Sequence, residues 1–322
     1  MTSPRFTPPP TRLDDAARAG WLYYVAGNTQ DEIASKMGVS RQTAQRLVAM
    51  AVAERLVKVR LDHPIGRCMD LAAALRDRWG LGEAEVVPSD PDAPDLLAGV
   101  AGAAAALLER TLRAADPRVV ALGTGRALKA TVEATARMDC PQHRIVSLLG
   151  NMMADGQATP YNAVIRLADR VGARQYPSPL PVLARDAAEV RALHAQEAVR
   201  HILALCREAD LTLVGIGQIG PLAPITVDGF MSPEEAEALR RAGAAGEITS
   251  WVYDRGGRVM ACAHNDRVGS APLAGPLPAG ARPVVAVAAG EAKLGALRAA
   301  LDGRLVNGVV TTEAMAERLL GA

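Results

Sequence analysis

Apolar and polar positions along the chain follow two different periods. From Ala84 onward, short apolar runs alternate with segments whose apolar residues recur at helical spacing. AEVV precedes a helical pattern near residues 95–114, VVAL one at 126–137, and IVSLL one at about 161–171. LTLVGI, VVAVAA and VVTT come later, the last two leading into EAKLGALRAAL and EAMAERLL. Such alternation predicts an α/β domain with a doubly wound, mostly parallel sheet, because parallel strands need crossovers long enough to hold a helix and the helices bury both sheet faces.

The first sixty residues show only the helical period. Thr29-Gln30-Asp31-Glu32 is a capping box, which predicts a helix that starts there and runs through IASKM to Gly38. Ser40 can then cap a second helix, RQTAQRLVAMAVAERL, with Ala44, Leu47, Val48 and Ala51 on one stripe. Two helices across a tight glycine turn make a helix-turn-helix. Ala34 is the small residue at the crossing, and Ile33, Met37, Val39, Ala44 and Leu47 supply its internal contacts. The cap and outer face of the second helix present Ser40, Arg41, Gln42, Thr43, Gln45 and Arg46. Gln pairs bidentately with adenine, Arg with guanine or phosphate, and Thr meets a thymine methyl, so these are candidate DNA contacts. The plain alternative is a helical hairpin with a polar outer face. An earlier helix, Leu13 to Val25, is expected to close a three-helix unit with Leu13, Ala17 and Trp21 or Tyr24 inward. Val57-Lys58-Val59-Arg60 is placed to add DNA backbone contacts. His63 to Trp79 holds a further helix that ends at Gly80 and reads as a connector.

Composition narrows the class. A chain of 322 residues, 49% hydrophobic and 22% charged, suits one large domain with an appendage and excludes a disordered or fibrous protein. The longest unbroken apolar run, Gly99 to Leu108, is too short to cross a bilayer, and MTSPRFTPPP lacks the apolar core of a signal peptide, so a cytoplasmic protein without membrane contact is expected. Cys68, Cys140, Cys206 and Cys262 lie far apart, and the five histidines fall in no ligand spacing; neither a disulfide framework nor a metal site is indicated. The net charge of +1 hides an asymmetry: residues 1–60 hold nine Lys/Arg against five Asp/Glu, the remainder 27 against 30. A basic head on a mildly acidic body fits a nucleic-acid partner.

The body's candidate chemistry lies in its glycine turns, because ligands of open parallel sheets sit beyond the carboxyl ends of the strands. Gly123-Thr124-Gly125 follows an apolar strand and precedes a helix, which exposes bare N–H groups to a phosphate or sugar oxygen; the alternative is a tight turn with no ligand. Gly215-Ile-Gly217-Gln-Ile-Gly220 matches the dinucleotide pattern literally, but Pro221 and Pro224 follow where a helix should start, so no nicotinamide cofactor is expected, nor any other. Only four lysines occur, and Lys293, just after Ala289-Gly290, is placed to approach an anion; Lys129 is equally well placed for solvent. Glu247, after Gly246, is the acidic residue best placed to accept from sugar hydroxyls. Asn151, Tyr161, Asn162, Gly217 and Gln218 complete the candidate set.

The ordered set TQDEIASKMGVSRQTAQRLV, VVALGTGRAL, LVGIGQIG, AAGEIT, AAGEAKLGALRAAL and VVTTEAMAERLL resembles the SorC-type sugar-binding transcriptional regulators, grouped with DeoR-like sensors, from about Leu13 to Leu320. The resemblance implies an effector domain related in fold to sugar-phosphate isomerases and glucosamine-phosphate deaminases. It also implies a phosphorylated sugar or polyol as inducer, and tetrameric or larger assembly on operator DNA; because such DNA-binding modules act in symmetric pairs on paired half-sites, a homo-oligomer, dimer or tetramer, is expected. It places the phosphate-cradling turn on Gly123, Thr124 and Gly125, an acidic ligand on Glu247 and a lysine on Lys293. Arg126 and Ala127 stand where the family often has a further Thr or Ser, and Ala289 where it has a second glycine. GNMMADGQATPYNAVIRLADRVGA is similar to the branch associated with sugar alcohols, which implies that the effector can be unphosphorylated. The expected organisation is a DNA-binding domain over 1–62, a linker helix over 63–82 and an effector-binding and oligomerisation domain over 83–322. A transcriptional regulator with no catalytic residues is expected; the rival is an isomerase- or deaminase-like enzyme in which Glu247 and Lys293 handle protons.

Overall fold

The computed structural model describes residues 11–54, 56–57, 65–90, 92, 97–153, 156–159 and 161–321. The N-terminal MTSPRFTPPP and the suggested DNA contacts at Lys58, Val59 and Arg60 lie outside them. The chain divides into two units, residues 1–63 and 64–322.

The first unit holds α1 (Arg12–Tyr24), α2 (Gln30–Met37) and α3 (Arg41–Ala53). Thr29 and Glu32 form the expected reciprocal capping box on α2, with Thr29 N–H donating to Glu32 Oε2 at 2.7 Å. Gly38 ends the helix at φ 65°, a left-handed conformation that glycine adopts without a Cβ penalty. Ser40 caps α3 by accepting from Thr43 N–H at 3.2 Å. Ile33, Ala34, Ala44, Leu47, Val48 and Ala51 form the core, with Met37 and Val39 packed on it. The expectation for α1 is corrected. Its small side, Ala16, Ala19 and Gly20, is the buried one, while Leu13, Trp21 and Tyr24 are 48%, 55% and 40% exposed. The cause is close helix approach: a Cβ on Gly20 would lie 2.6 Å from the Ala51 Cβ, so α1 can lie against α3 only through its small residues.

The second unit opens with α4 (Gly66–Trp79), then β1 (Glu83–Val87), α5 (Leu97–Leu112), β2 (Val119–Leu122), α6 (Arg126–Ala134), β3 (Arg144–Met152), α7 (Ala163–Val171) and β4 (Arg174–Pro181). It continues through α8 (Ala187–His194), α9 (Glu197–Arg207), β5 (Leu211–Gly215), α10 (Pro224–Val227), α11 (Pro233–Arg241), β6 (Ala244–Ile248) and β7 (Trp251–Asp254). β8 (Val284–Val287), α12 (Leu294–Asp302), β9 (Gly308–Thr312) and α13 (Glu313–Leu320) complete it. Seven strands form one sheet in the order β1-β9-β8-β5-β2-β3-β4, every neighbouring pair parallel, and β6 and β7 form a separate antiparallel hairpin.

Both sheet faces are covered, which is why the central strands read as continuous apolar runs rather than alternating ones. On one face Val309, Ala286 and Val214 meet Leu71 and Leu75 of α4, Leu297 of α12 and Leu319 of α13. On the other, Val310, Val285 and Leu122 meet Leu108 of α5, Leu128 of α6 and Leu167 of α7. α9 covers the first face beside β2 and β3 through Leu205. Helix α4, expected to be a connector, is part of this core: besides Leu71 and Leu75, Trp79 Nε1 donates to Asp302 Oδ1 at 2.7 Å and Arg76 to the Ala84 carbonyl at 2.9 Å. β4, β6, α8, α9 and α11 have no counterpart among the runs that define the predicted sheet, whereas β7 is the strand expected after Glu247. β4 carries Pro177, Pro179 and Pro181, which a strand tolerates at the sheet edge it occupies but which mask it in sequence.

Candidate functional site

β2 and β5 lie side by side, yet the chain leaves β2 toward β3 and β4 and leaves β5 toward β8 and β9. The crevice at their carboxyl ends is the topological switch point of the sheet, where ligands of this architecture bind. A cleft of about 600 Å³, counted out to its open mouth, occupies it. The cleft is lined by Thr124, Gly125 and Arg126 after β2, Gly215 to Gly217 after β5, Tyr161, Asp228, Glu247, Thr249, Ser250 and Lys293.

The floor is built by backbone geometry. Gly125 caps α6 at φ 106° with no side-chain cap, so the first N–H groups of that helix are left for an incoming acceptor. Opposite it, Gly217 and Glu247 exchange backbone hydrogen bonds, Gly217 N–H to Glu247 O at 3.0 Å and Glu247 N–H to Gly217 O at 2.8 Å. A Cβ on Gly217 would come within 2.0 Å of Glu247 Oε1, so only glycine lets the carboxylate lie there. Ser250 N–H donates to Glu247 Oε2 at 2.9 Å. Burial pushes the Glu247 carboxyl above its ordinary value of 4.5, against the opposing pull of the Ser250 amide and the Lys293 charge. At the mouth, Tyr161 O–H donates to Asp228 Oδ2 at 2.6 Å, and burial with this carboxylate raises the phenol to about 12.

A second recess of about 350 Å³ shares Thr124 and Leu149 with the cleft and is lined by Gly123, Ser147, Asn151, Thr159, Asn162 and the first residues of α7. Nine of the ten residues singled out in sequence thus line two adjoining hollows: Thr124 both, Gly123, Asn151 and Asn162 the recess, and Gly125, Tyr161, Gly217, Glu247 and Lys293 the cleft. Gln218 lines neither; its Oε1 is buried without a hydrogen-bond partner among the described residues. The glycine pattern at Gly215 to Gly220 does not open a helix. Gly217 pairs with Glu247 instead, and the four-residue α10 begins only at Pro224.

On the first unit, Arg41, Gln42, Gln45 and Arg46 are exposed along α3. Ser40 and Thr43 are engaged in the cap, their hydroxyls 2.9 Å apart. Arg41 Nε lies 3.4 Å from Asp31 Oδ1, an exposed pair of the kind that contributes little and yields readily to a phosphate or base.

Residues 63–321 match the family model described as "Putative sugar-binding domain". The erythritol catabolism regulatory protein EryD of Brucella abortus (strain 2308) is 33% identical over 306 residues, covering 95% of this chain and 96% of EryD. The chain belongs to the SorC-type family of sugar-binding transcriptional regulators. The transcriptional regulator LsrR of Enterobacter sp. (strain 638) is 28% identical over 318 residues, 96% of this chain and 94% of LsrR. The fold is shared with the full-length sorbitol operon regulator SorC of Klebsiella pneumoniae, with a TM-score of 0.66 at 24% identity across 96% of this chain and 99% of that one. Among the described residues of this SorC-type chain, no helix is long and apolar enough to cross a membrane.

Sequence reasoning missed Arg126, Asp228, Thr249 and Ser250 as lining residues. Arg126 stands beside the recognised glycine turn and was readable from it. Asp228 follows a four-residue helix with no pattern of its own. Thr249 and Ser250 form the two-residue turn of the β6–β7 hairpin with φ 50° and 72°, in a conformation that normally calls for Asn-Gly, so nothing in their identity marks a turn.

Proposed function

We propose that this SorC-type regulator senses a small sugar, sugar alcohol or sugar phosphate in the switch-point cleft and converts its presence into a change of affinity for operator DNA. The observation that carries the reading is the pairing within one cleft of an uncapped helix N-terminus at Gly125 with a carboxylate held on a glycine floor at Glu247. The first suits hydroxyl or phosphate oxygens and the second accepts from hydroxyl groups. The effector contacts proposed are Gly123, Thr124, Gly125, Tyr161, Gly217, Glu247 and Lys293, with Asn151 and Asn162 reached through the adjoining recess. The DNA contacts proposed are Ser40, Arg41, Gln42, Thr43, Gln45 and Arg46. The protein acts in the cytoplasm as a homo-oligomer, because one helix-turn-helix offers few base contacts and paired heads on paired half-sites gain specificity. The effector is released unchanged.

Erythritol and sorbitol, for which the EryD and SorC regulators are named, and their phosphates are the first compounds to screen. A ligand at a hundred times its dissociation constant stabilises by about 2.7 kcal/mol and raises Tm accordingly. Lys293→Ala is expected to weaken a phosphate ester more than its parent polyol. No Tm shift with any sugar, polyol or phosphate ester defeats the reading. The half-buried Glu247 in one cleft with Lys293 is the observation that favours proton-transfer chemistry. NMR of the bound compound over hours decides the matter, since conversion to another sugar means an enzyme.

A further inference from the structure

The β6–β7 turn is the strained part of the cleft wall. Thr249 and Ser250 both hold left-handed backbone angles, φ 50° and 72°, and for a β-branched residue such as Thr249 this conformation is rare and costly. The turn is nevertheless central to the site. Its Ser250 N–H holds the Glu247 carboxylate, and the Thr249 methyl lies against Gly123, where a Cβ would be 3.1 Å from it. Strain of this kind persists only where the surroundings fix the conformation.

Against the turn, and outside the cleft lining, lies His264, 1% exposed. Its Nε2 is 3.0 Å from the Ser250 carbonyl oxygen. A carbonyl accepts only, so Nε2 carries the proton and donates. Nδ1 then faces Glu235 Oε1 of α11 at 3.5 Å, and Arg267 holds that same Glu235 oxygen at 3.1 Å. Burial lowers the basicity of the imidazole and the Arg267 charge adds to this, outweighing the opposing pull of Glu235 and of the Ser250 carbonyl. Next in the chain, Asn265 fixes β7 by accepting from Val252 N–H at 2.9 Å and donating to the Val252 and Met260 carbonyls at 2.8 and 2.7 Å.

We propose that His264 is a positioning residue of the effector site: its hydrogen bond to Ser250 O holds the Thr249–Ser250 turn in its left-handed form and so presents the Ser250 amide to Glu247. His264 touches no part of the cleft itself. It acts through the turn, and Glu247 is the group whose placement it sets. The assignment of Glu247 to a sugar-type effector rests on the function proposed above; the prop on the turn does not.

The test uses full-length protein carrying His264→Leu, His264→Asn or His264→Gln, each also combined with the relaxed turn Thr249→Asn, Ser250→Gly. Gln reaches Ser250 O with an amide donor. Asn stops one bond short but stays polar and small, which guards against a Leu variant that fails to fold. Hydrogen exchange of the 244–254 peptide is read without ligand. Leu and Asn are expected to speed exchange at the turn by roughly two- to tenfold, the scale of one net hydrogen bond, while Gln stays near the native rate. In the Asn-Gly background, which favours the left-handed pair by itself, all three variants are expected to exchange alike. Unchanged exchange in both Leu and Asn, or an equal acceleration in both backgrounds, overturns the proposal. Erythritol titrated by calorimetry is the second readout, with the same order of loss expected. If erythritol fails to bind the unaltered protein, that choice of effector fails, and the exchange result still decides the role of His264.

Discussion

Gly217 shows how a single missing methyl group can shape a candidate ligand site. Adding a Cβ there forces Glu247 Oε1 away from a point 2.0 Å off, and the Ser250 amide that holds the other carboxylate oxygen prevents an easy retreat. Gly217→Ala is therefore expected to cost about 1–3 kcal/mol of stability, the usual scale of overpacking, and to remove effector binding, checked by urea denaturation and calorimetry. Glu247 also gives the site a pH signature. Its carboxyl is raised above 4.5 in the folded protein, so effector binding that needs the ionised form is lost as pH falls through that raised value, before ordinary carboxylates protonate. Stability moves the other way. The folded state holds this proton more tightly than the unfolded one, so the Glu247 contribution is fully present below 4.5 and declines as pH rises through the folded value. Glu247→Gln is expected to flatten both profiles, and unchanged profiles would mean another group titrates. Sequence pointed to Glu247 and Gly217 separately, the latter inside a false dinucleotide pattern. Their pairing was not legible because it joins a strand end to a hairpin about thirty residues later.

At the scale of elements, capping chemistry was the most readable signal and edge or insertion elements the least. Thr29, Glu32, Gly38 and Ser40 each act locally, within a few residues, so their types alone set where α2 and α3 begin and end. The facing of α1 depended instead on how closely α3 approaches Gly20, a tertiary matter that bulk hydrophobicity misreads by favouring Trp21 and Tyr24. The turn of the β6–β7 hairpin was hidden by its Thr-Ser sequence, and with it the part of the cleft wall that Thr249 and Ser250 form. For α3 the account makes a direct prediction. Arg41→Ala or Gln45→Ala is expected to weaken operator binding by about 1–3 kcal/mol if the side chain reads a base, with effector binding retained. Fluorescence anisotropy on operator DNA measures this, and full affinity in a folded double variant removes α3 from the DNA contact.

For the whole molecule, a sheet with a cleft at its β2–β5 switch point and a separate three-helix unit suit a regulator in which one part binds the signal and the other the DNA. An effector can shift DNA affinity only by the difference in its own affinity for the two arrangements of the protein, and DNA must then alter effector affinity by the same factor. That reciprocity separates a sensor from a protein that merely carries two sites. The most direct measurement is therefore a thermodynamic cycle on the full-length protein: anisotropy of its operator DNA with and without a saturating effector from the screen, and calorimetry of that effector with and without DNA, for the native chain and for Glu247→Ala. Equal fold-changes around the cycle are expected in the native protein, with loss of the effector-induced change in Glu247→Ala. An effector that binds the cleft yet leaves DNA affinity unchanged, or a change that persists in Glu247→Ala, contradicts it.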